Sequence, residues 1–182
     1  TLANDIRSIN NKFNELTGTL FSAISSLNGG TGDIIVDASD VDIDSVTFGK
    51  VSSCRNSGAV YGDVNTGGIT GSMTIEYTLD PEDDVTGHLS GFYRKQYEYR
   101  AILQSCVNTG DVTGKRSYVG GIVGRMDLGY LTACETASCT VASENGSYTG
   151  GIAGLTGATV HGSFAKCTLS GKKYVGGIVG SG

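Results

Sequence analysis

Residues 118–124 read Tyr118-Val119-Gly120-Gly121-Ile122-Val123-Gly124, and the fold turns on why so much glycine surrounds one isoleucine. Gly-Gly-Ile-x-Gly is written four times, at 67–71, 120–124, 150–154 and 176–180. In the last three copies a tyrosine and a valine or threonine stand in front: Tyr118-Val119, Tyr148-Thr149 and Tyr174-Val175. Successive copies start 53, 30 and 26 residues apart, and the first gap is close to twice the last. One degenerate unit is therefore expected between the first two copies. The isoleucine is expected to point inward, while the glycines supply positive φ and a close approach between neighbouring stretches of chain.

Upstream of each copy comes a second landmark, a cysteine after a short polar pair: Cys54, Cys106, Cys134 and Cys167. Cys54-Arg55-Asn56-Ser57-Gly58 and Cys106-Val107-Asn108-Thr109-Gly110 are near copies, each followed by a valine-containing strand and another glycine. A unit is thus a strand, an Asx/Gly turn, a second strand, another turn, and the Gly-Gly-Ile-x-Gly strand. Three short strands cannot bury their own apolar side, but stacked units build a continuous core. The expected fold is mainly β: a right-handed parallel β-helix or β-solenoid over 46–182, preceded by an N-terminal α-helix. Its structural residues are Gly67, Gly68, Ile69, Gly120, Gly121, Ile122, Gly150, Gly151, Ile152, Gly176, Gly177 and Ile178, with the four cysteines. Phosphate cradling by Gly-Gly is the functional rival, and it fails because no Lys-Ser/Thr or helix start follows any copy.

The first zone has a different period. Leu2, Ile6, Ile9, Phe13, Leu16, Leu20, Ala23 and Leu27 fall at alternating steps of 4 and 3, the seam of an amphipathic helix over 1–28. Gly18 weakens its middle, and Asn28-Gly29-Gly30 end it. Two readings stay open: a stalk that forms a homo-oligomer through residues 1–28, or a helix laid along its own domain. Residues 29–45 are expected to be a linker and lead-in strand. There Ile34, Val36, Val41 and Ile43 alternate with Asp33, Asp37, Asp40, Asp42 and Asp44, a picket of carboxylates facing water.

The stretch 72–100 breaks the repeat. Met73–Leu79 reads as a strand, followed by an acidic turn at Asp80, Pro81, Glu82, Asp83 and Asp84 and by a strand-like run over 91–100. A hairpin leaving the repeats is expected, since insertions map to loops on one face. Phe92, Tyr93, Arg94, Tyr97 and Tyr99 form the candidate contact surface, with aromatic and cationic groups suited to a sugar or protein. The rival reading has these tyrosines packing over the side of the repeats. Asp80, Glu82, Asp83 and Asp84 are weak calcium candidates, because consecutive carboxylates lack the spaced ligands of a calcium loop.

The Gly-Gly-Ile-Val/Ala-Gly repeats, the Cys-x-Asn-x-Gly turns and Gly124-Arg125-Met126-Asp127-Leu128-Gly129 together resemble the GLUG-motif surface proteins of Gram-positive gut bacteria. Similar repeats accompany secreted IgA-cleaving metallopeptidases. The resemblance spans about residues 46–182 and implies an exported, extracellular module of the bacterial cell surface. The peptidase activity does not carry over, since no His-Glu-x-x-His occurs and His88 and His161 lack that context.

Composition narrows the rest. Glycine is 29 of 182 residues without a three-residue rule, which excludes collagen. A net charge of −5 with scattered cations disfavours nucleic acid and anionic lipid, and no apolar run reaches a membrane span. Four of the five cysteines stand at matching repeat positions, with Cys139 besides, and suggest a column of small buried side chains, with a Cys134–Cys139 bridge the main exception. No zinc ligand set or cofactor motif is present. The chain, opening at Thr1, reads as a piece of something longer. The expectation is a non-catalytic scaffold or adhesin-like module binding a host or microbial surface glycan or protein. A carbohydrate-active β-helix enzyme, or an accessory repeat region of a secreted peptidase, is the alternative.

Overall fold

The computed structural model describes Lys12 and residues 35–74 and 97–182. The chain divides into two compact units, residues 1–36 with 76–98, and residues 37–75 with 99–182. Strand β1 (Ile35–Asp37) is followed by a first pass of five short strands, β2 (Lys50–Ser52), β3 (Arg55–Asn56), β4 (Val60–Gly62), β5 (Thr66–Gly67) and β6 (Thr70–Met73). Strand β7 (Tyr97–Tyr99) pairs with β1. A second pass holds β8 (Ile102–Gln104), β9 (Val107–Asn108), β10 (Val112–Gly114), β11 (Val119–Gly120) and β12 (Val123–Met126). The third has β13 (Tyr130–Thr132), β14 (Glu135–Ser143), β15 (Ser147–Gly150) and β16 (Ala153–Thr156). The fourth has β17 (Thr159–His161), β18 (Phe164–Ser170), β19 (Lys173–Gly176) and β20 (Val179–Ser181).

Apart from the β1–β7 pair, these strands form four parallel sheets, and each pass contributes to all of them in turn. The orders are β2-β8-β13-β17, then β3 and β4 on β9 and β10 on β14 on β18, then β5-β11-β15-β19, and β6-β12-β16-β20. Register is kept from pass to pass: Gly67 lies beside Gly120, Gly120 beside Gly150, and Gly150 beside Gly176. The isoleucines follow. Ile69 N donates to Ile122 O at 3.0 Å, Ile122 N to Ile152 O at 2.9 Å, and Ile152 N to Ile178 O at 2.8 Å. One column therefore runs through all four copies of the motif.

Burial grades along that column. Ile122 and Ile152 are fully buried, while Ile178, in the fourth described pass, is 38 % exposed. The main core joins them to Leu103, Cys106, Val123, Met126, Leu131, Cys134 and Ala153, with Val51, Ile69, Met73, Val160 and Val179 packed around it. A smaller core holds Val112, Val119, Cys139 and Val141 against Cys167 and Leu169. Each interior isoleucine contributes roughly 1.5–3 kcal/mol by leaving water. A single pass would expose it, so the stacking drives the fold.

The glycines act differently from the expectation. Positive φ among the described glycines occurs at Gly49, Gly129 and Gly162, none of them in the motif. The motif glycines instead remove side chains that have no room. A Cβ on Gly67, Gly120, Gly150 or Gly176 would overlap the carbonyl three residues on. On Gly68, Gly121 and Gly151 it would strike Asn108, Thr136 and Ala165 reaching across the interior. On Gly124, Gly154 and Gly180 it would press into the backbone of the pass before. Left-handed backbone falls two residues ahead of each Gly-Gly, at Asn65, Tyr118, Tyr148 and Tyr174.

Three further expectations are corrected. No degenerate unit separates the first two copies, because β2, β4, β5 and β6 pair directly with β8, β10, β11 and β12. The extra residues leave after Met73 and return by Tyr99. The cysteine column is Cys54, Cys106 and Cys134, and its fourth place belongs to Ser163. Glu135 pairs with Phe164, which leaves Cys167 next to Cys139 across a register shift after Ala137. Among the described residues the lead-in strand covers Ile35–Asp37 and does not continue through Ile43, since Asp42 takes φ of 54° and the chain turns through 39–45, leaving Val41 56 % exposed. The helix expected over 1–28 lies outside the described residues apart from Lys12, which is helical and exposed.

Inside the second sheet a polar ladder matches the Cys-x-Asn-x-Gly turns. Asn108 accepts from Gly110 N at 3.2 Å and donates to Gly110 O at 2.9 Å, closing its own turn. Asn56 does the same with Gly58 and also donates to Asn108 Oδ1 at 2.8 Å. A fully buried amide thus satisfies itself locally and ties two passes together.

Candidate contact surface

The corner leading into the third sheet repeats the same conformation four times. Asn65, Tyr118, Tyr148 and Tyr174 have φ of 51°, 66°, 67° and 52°. Thr66 N donates to Tyr118 O at 2.9 Å and Tyr118 N to Ser147 O at 3.1 Å, which fixes the corner against the next pass. A tyrosine held there costs roughly 1–2 kcal/mol relative to a residue without Cβ. The three rings then stack along the direction of the passes. Tyr118 and Tyr148 have centroids 5.2 Å apart at 15°, and Tyr148 and Tyr174 are 4.8 Å apart at 6°.

Arg125 continues this column beside the first ring, its guanidinium carbon 5.7 Å from the Tyr118 centroid. It is aimed by Asp127, whose carboxylate accepts from Arg125 Nε at 2.7 Å and from Nη2 at 3.2 Å. Tyr118 and Tyr148 are half-buried and Tyr174 is 58 % exposed. Because the ring faces cover one another, the column turns its edges outward. Such a row suits an extended polar ligand lying along the passes better than one sugar ring stacked on an open face.

At the corner between the second and third sheets, charge alternates from pass to pass. Asp63 in the first pass pairs with Arg116 in the second, with Arg116 Nε donating to Asp63 Oδ1 at 3.0 Å. Glu144 and Asn145 follow in the third, and Lys172 in the fourth donates to Asn145 Oδ1 at 3.2 Å. The Arg116 guanidinium holds the Asp63 carboxyl below the usual carboxylate range.

Four further described acids, Asp37, Asp42, Asp44 and Asp111, have backbone or side-chain partners. Asp37 accepts from Gly129 N at 2.8 Å, Asp111 from Thr140 N at 2.7 Å, and Asp44 from Gln104 Nε2 at 3.0 Å. Asp42 accepts the Ser45 hydroxyl. Among the described residues no group of three or more His, Cys, Asp or Glu is arranged to hold a metal. The five cysteines are free thiols. Cys134 is pushed up from the ordinary thiol value by its hydrogen bond with Cys106 and by burial. Burial pushes Cys139 up to about 11, and Cys167 upward as well.

Of the contact residues expected from sequence, Tyr99 is half-buried against the main core, which gives it a packing role. Tyr97 lies in β7, and Phe92, Tyr93 and Arg94 lie outside the described residues, as do the calcium candidates Asp80, Glu82, Asp83 and Asp84. Tyr118, Tyr148 and Tyr174 were visible as part of the repeat, two residues ahead of each Gly-Gly. Their role was not visible, because left-handed backbone on a tyrosine leaves no mark in composition or period. Comparison with protein-family models, with curated proteins and with solved structures finds no match for the chain.

Proposed function

We propose that this chain is a right-handed parallel β-solenoid that serves as a non-catalytic scaffold or adhesin-like module on a bacterial cell surface. The observation that carries the reading is the tyrosine column. Three successive passes place a tyrosine in strained backbone, where asparagine or glycine would be easier, and stack the rings on the outside. Strain repeated at one exposed place points to a surface that is used. The in-register isoleucine column supports the solenoid as a rigid rod beneath it. Asp37, Asp63, Asp111 and Asp127 are each held by a structural partner, which supports display over acid–base catalysis, a chemistry that needs free carboxylates gathered on one face.

The ligand class is an extended polar polymer, a surface glycan or an extended peptide. Binding of the chain to a glycan and peptide array, with Tyr148→Asn and with Tyr93 and Tyr97 replaced by serine as separate variants, tests this. Asparagine tolerates the left-handed corner, so Tyr148→Asn removes the middle ring without straining the backbone. Binding lost in Tyr148→Asn favours a contact on the column, and binding lost only in the double variant moves it to the 72–100 excursion. An array empty for the wild type sinks the adhesive reading and leaves a spacer.

A further inference from the structure

In the column of Cys54, Cys106 and Cys134 the two inner thiols are neighbours in the interior. Gln104 pairs with Thr132 and Val107 with Glu135, and the same two residues stand between the members of each strand pair, so Cys106 lies directly beside Cys134. Glu135 N donates to Cys106 O at 2.8 Å, which fixes that register in the backbone. The side chains repeat it. Cys106 Sγ lies 3.4 Å from Gln104 O and 3.7 Å from Val51 O, and Cys134 Sγ lies 3.4 Å from Thr132 O and 3.7 Å from Leu103 O. The same placement, moved on by one pass, turns both sulfurs into the main core, where the two residues are 0 and 1 % exposed. Cys139, the bridge partner expected for Cys134, belongs to the smaller core and packs against Cys167.

We propose that Cys106 and Cys134 are a disulfide site, closed by exchange with a small aliphatic disulfide as the passes stack, so that a covalent bond ties the second pass to the third. Paired strands lie about 4.8 Å apart, within the roughly 4.4–6.8 Å that a disulfide spans between Cα atoms, so turning the two side chains closes the bond. Burial and the hydrogen bond with Cys106 push the Cys134 thiol up once the passes are stacked, which places the exchange before the third pass has closed. The Cys106 thiolate attacks one sulfur of R–S–S–R. That S–S bond breaks, R–S⁻ leaves and takes up a proton, and Cys106 carries S–S–R. As the third pass comes into register, the Cys134 thiolate attacks Cys106 Sγ and expels the second R–S⁻. In balance the two cysteine thiols lose two electrons and two protons, and R–S–S–R becomes two R–SH. Cys106 bonds once, so Cys54 in the first pass stays a thiol. The proposal uses the register of the passes and no adhesive ligand.

Refolding the reduced full chain from urea in a mixture of oxidised and reduced glutathione provides the test. Remaining thiols are alkylated under denaturing conditions, and cleavage after Arg, Lys and Glu puts Cys106, Cys134 and Cys139 on separate peptides, because Glu135 stands between the last two. Wild type is expected to give the peptide that joins Cys106 to Cys134, with Cys54 alkylated. Closing the chain between passes should raise the folding equilibrium about a hundredfold, so reduction should lower the urea midpoint by about 1 M or more. Cys54→Ser should keep both results. Cys134→Ser should lose both while keeping the β signal of reduced wild type in circular dichroism. A β-rich wild type whose Cys106 stays open to alkylation overturns the proposal, as does a bond from Cys106 to Cys54 or a reduction-sensitive midpoint that survives in Cys134→Ser. A wild type without β signal overturns it as well, by removing the register on which it stands.

Discussion

One substitution made at two equivalent positions isolates what the second glycine of the motif does. Gly121 and Gly177 occupy the same place in the second and fourth copies, and neither has positive φ. Replacing either by alanine therefore stabilises by the same unfolded-chain contribution, about 0.4–1 kcal/mol. At Gly177 the new methyl meets nothing within 4 Å. At Gly121 it overlaps the carbonyl of Gly151 in the next pass and comes within 2.5 Å of Thr136 Cγ2 across the interior. A backbone carbonyl cannot turn aside without parting the passes, so Gly121→Ala carries an overpacking cost of about 1–3 kcal/mol or more. The unfolded-state contributions cancel in the comparison, which leaves a difference of about 1–3 kcal/mol. With a urea slope near 1–3 kcal/mol per molar, the midpoints should differ by about 1 M. Thr136 supplies an internal check. Its hydroxyl is buried without a partner, so Thr136→Ala is cheap by itself and should recover part of the Gly121→Ala loss in the double variant. Midpoints for Gly121→Ala and Gly177→Ala that agree within about 0.5 kcal/mol would refute the crowding argument.

Asn108→Ala removes a fully buried amide that bonds Gly110 and Asn56, and should cost about 2–4 kcal/mol in urea melts, whereas Asn56→Ala, at the outer edge, costs less. Because Cys139 is held up at about 11 against an ordinary 9.0, the folded chain keeps a proton that the unfolded chain releases. Stability is thus intact below pH 9.0 and falls as pH rises toward about 11, and Cys139→Ala should flatten part of that slope. A brief pulse of iodoacetamide on the native chain, read by mass spectrometry, should modify exposed Cys54 well before buried Cys106 and Cys134, and equal labelling would contradict the column. Asp63 has its carboxyl lowered by Arg116, so any stability from the pair is present at neutral pH and lost as pH falls through the lowered value. As the pair is exposed, Asp63→Asn should leave the neutral melt unchanged at high salt.

Sequence alone conveyed the repeat, the mainly β character and the inward isoleucines, because all three follow from spacing and from the need of short strands to share a core. It misplaced features that depend on register. Cys134 and Cys167 both precede a Gly-Gly-Ile-x-Gly motif, yet β14 carries a shift after Ala137 that sets Cys167 beside Cys139 and gives the older column to Ser163. Distance along the chain does not report which residue a bulge leaves unpaired. The same limit hid the excursion: an interval of 53 residues between copies looks like two units, and only pairing of the second pass directly on the first shows that the surplus leaves the stack.

The tyrosine corner shows why the motif and the candidate surface are one device. The third glycine of each motif admits the backbone of the preceding corner at close quarters: Gly124 lies against Asn65, Gly154 against Tyr118, and Gly180 against Tyr148. Tyr174 takes the same left-handed backbone with no such glycine against it, so the corner keeps that conformation by itself and the glycine makes room for it. Three tyrosines there forgo about 1–2 kcal/mol each, and two ring contacts return about 0.5–1.5 kcal/mol each beyond area burial. The stack thus offsets only part of the strain, and stability by itself would favour glycine at 118, 148 and 174. Asn65, whose side chain suits that conformation, stands where the series has no ring, so the corner itself does not require an aromatic. That excess cost is the physical motive for the proposed ligand contact along this edge, because the ring stack alone does not offset the strain.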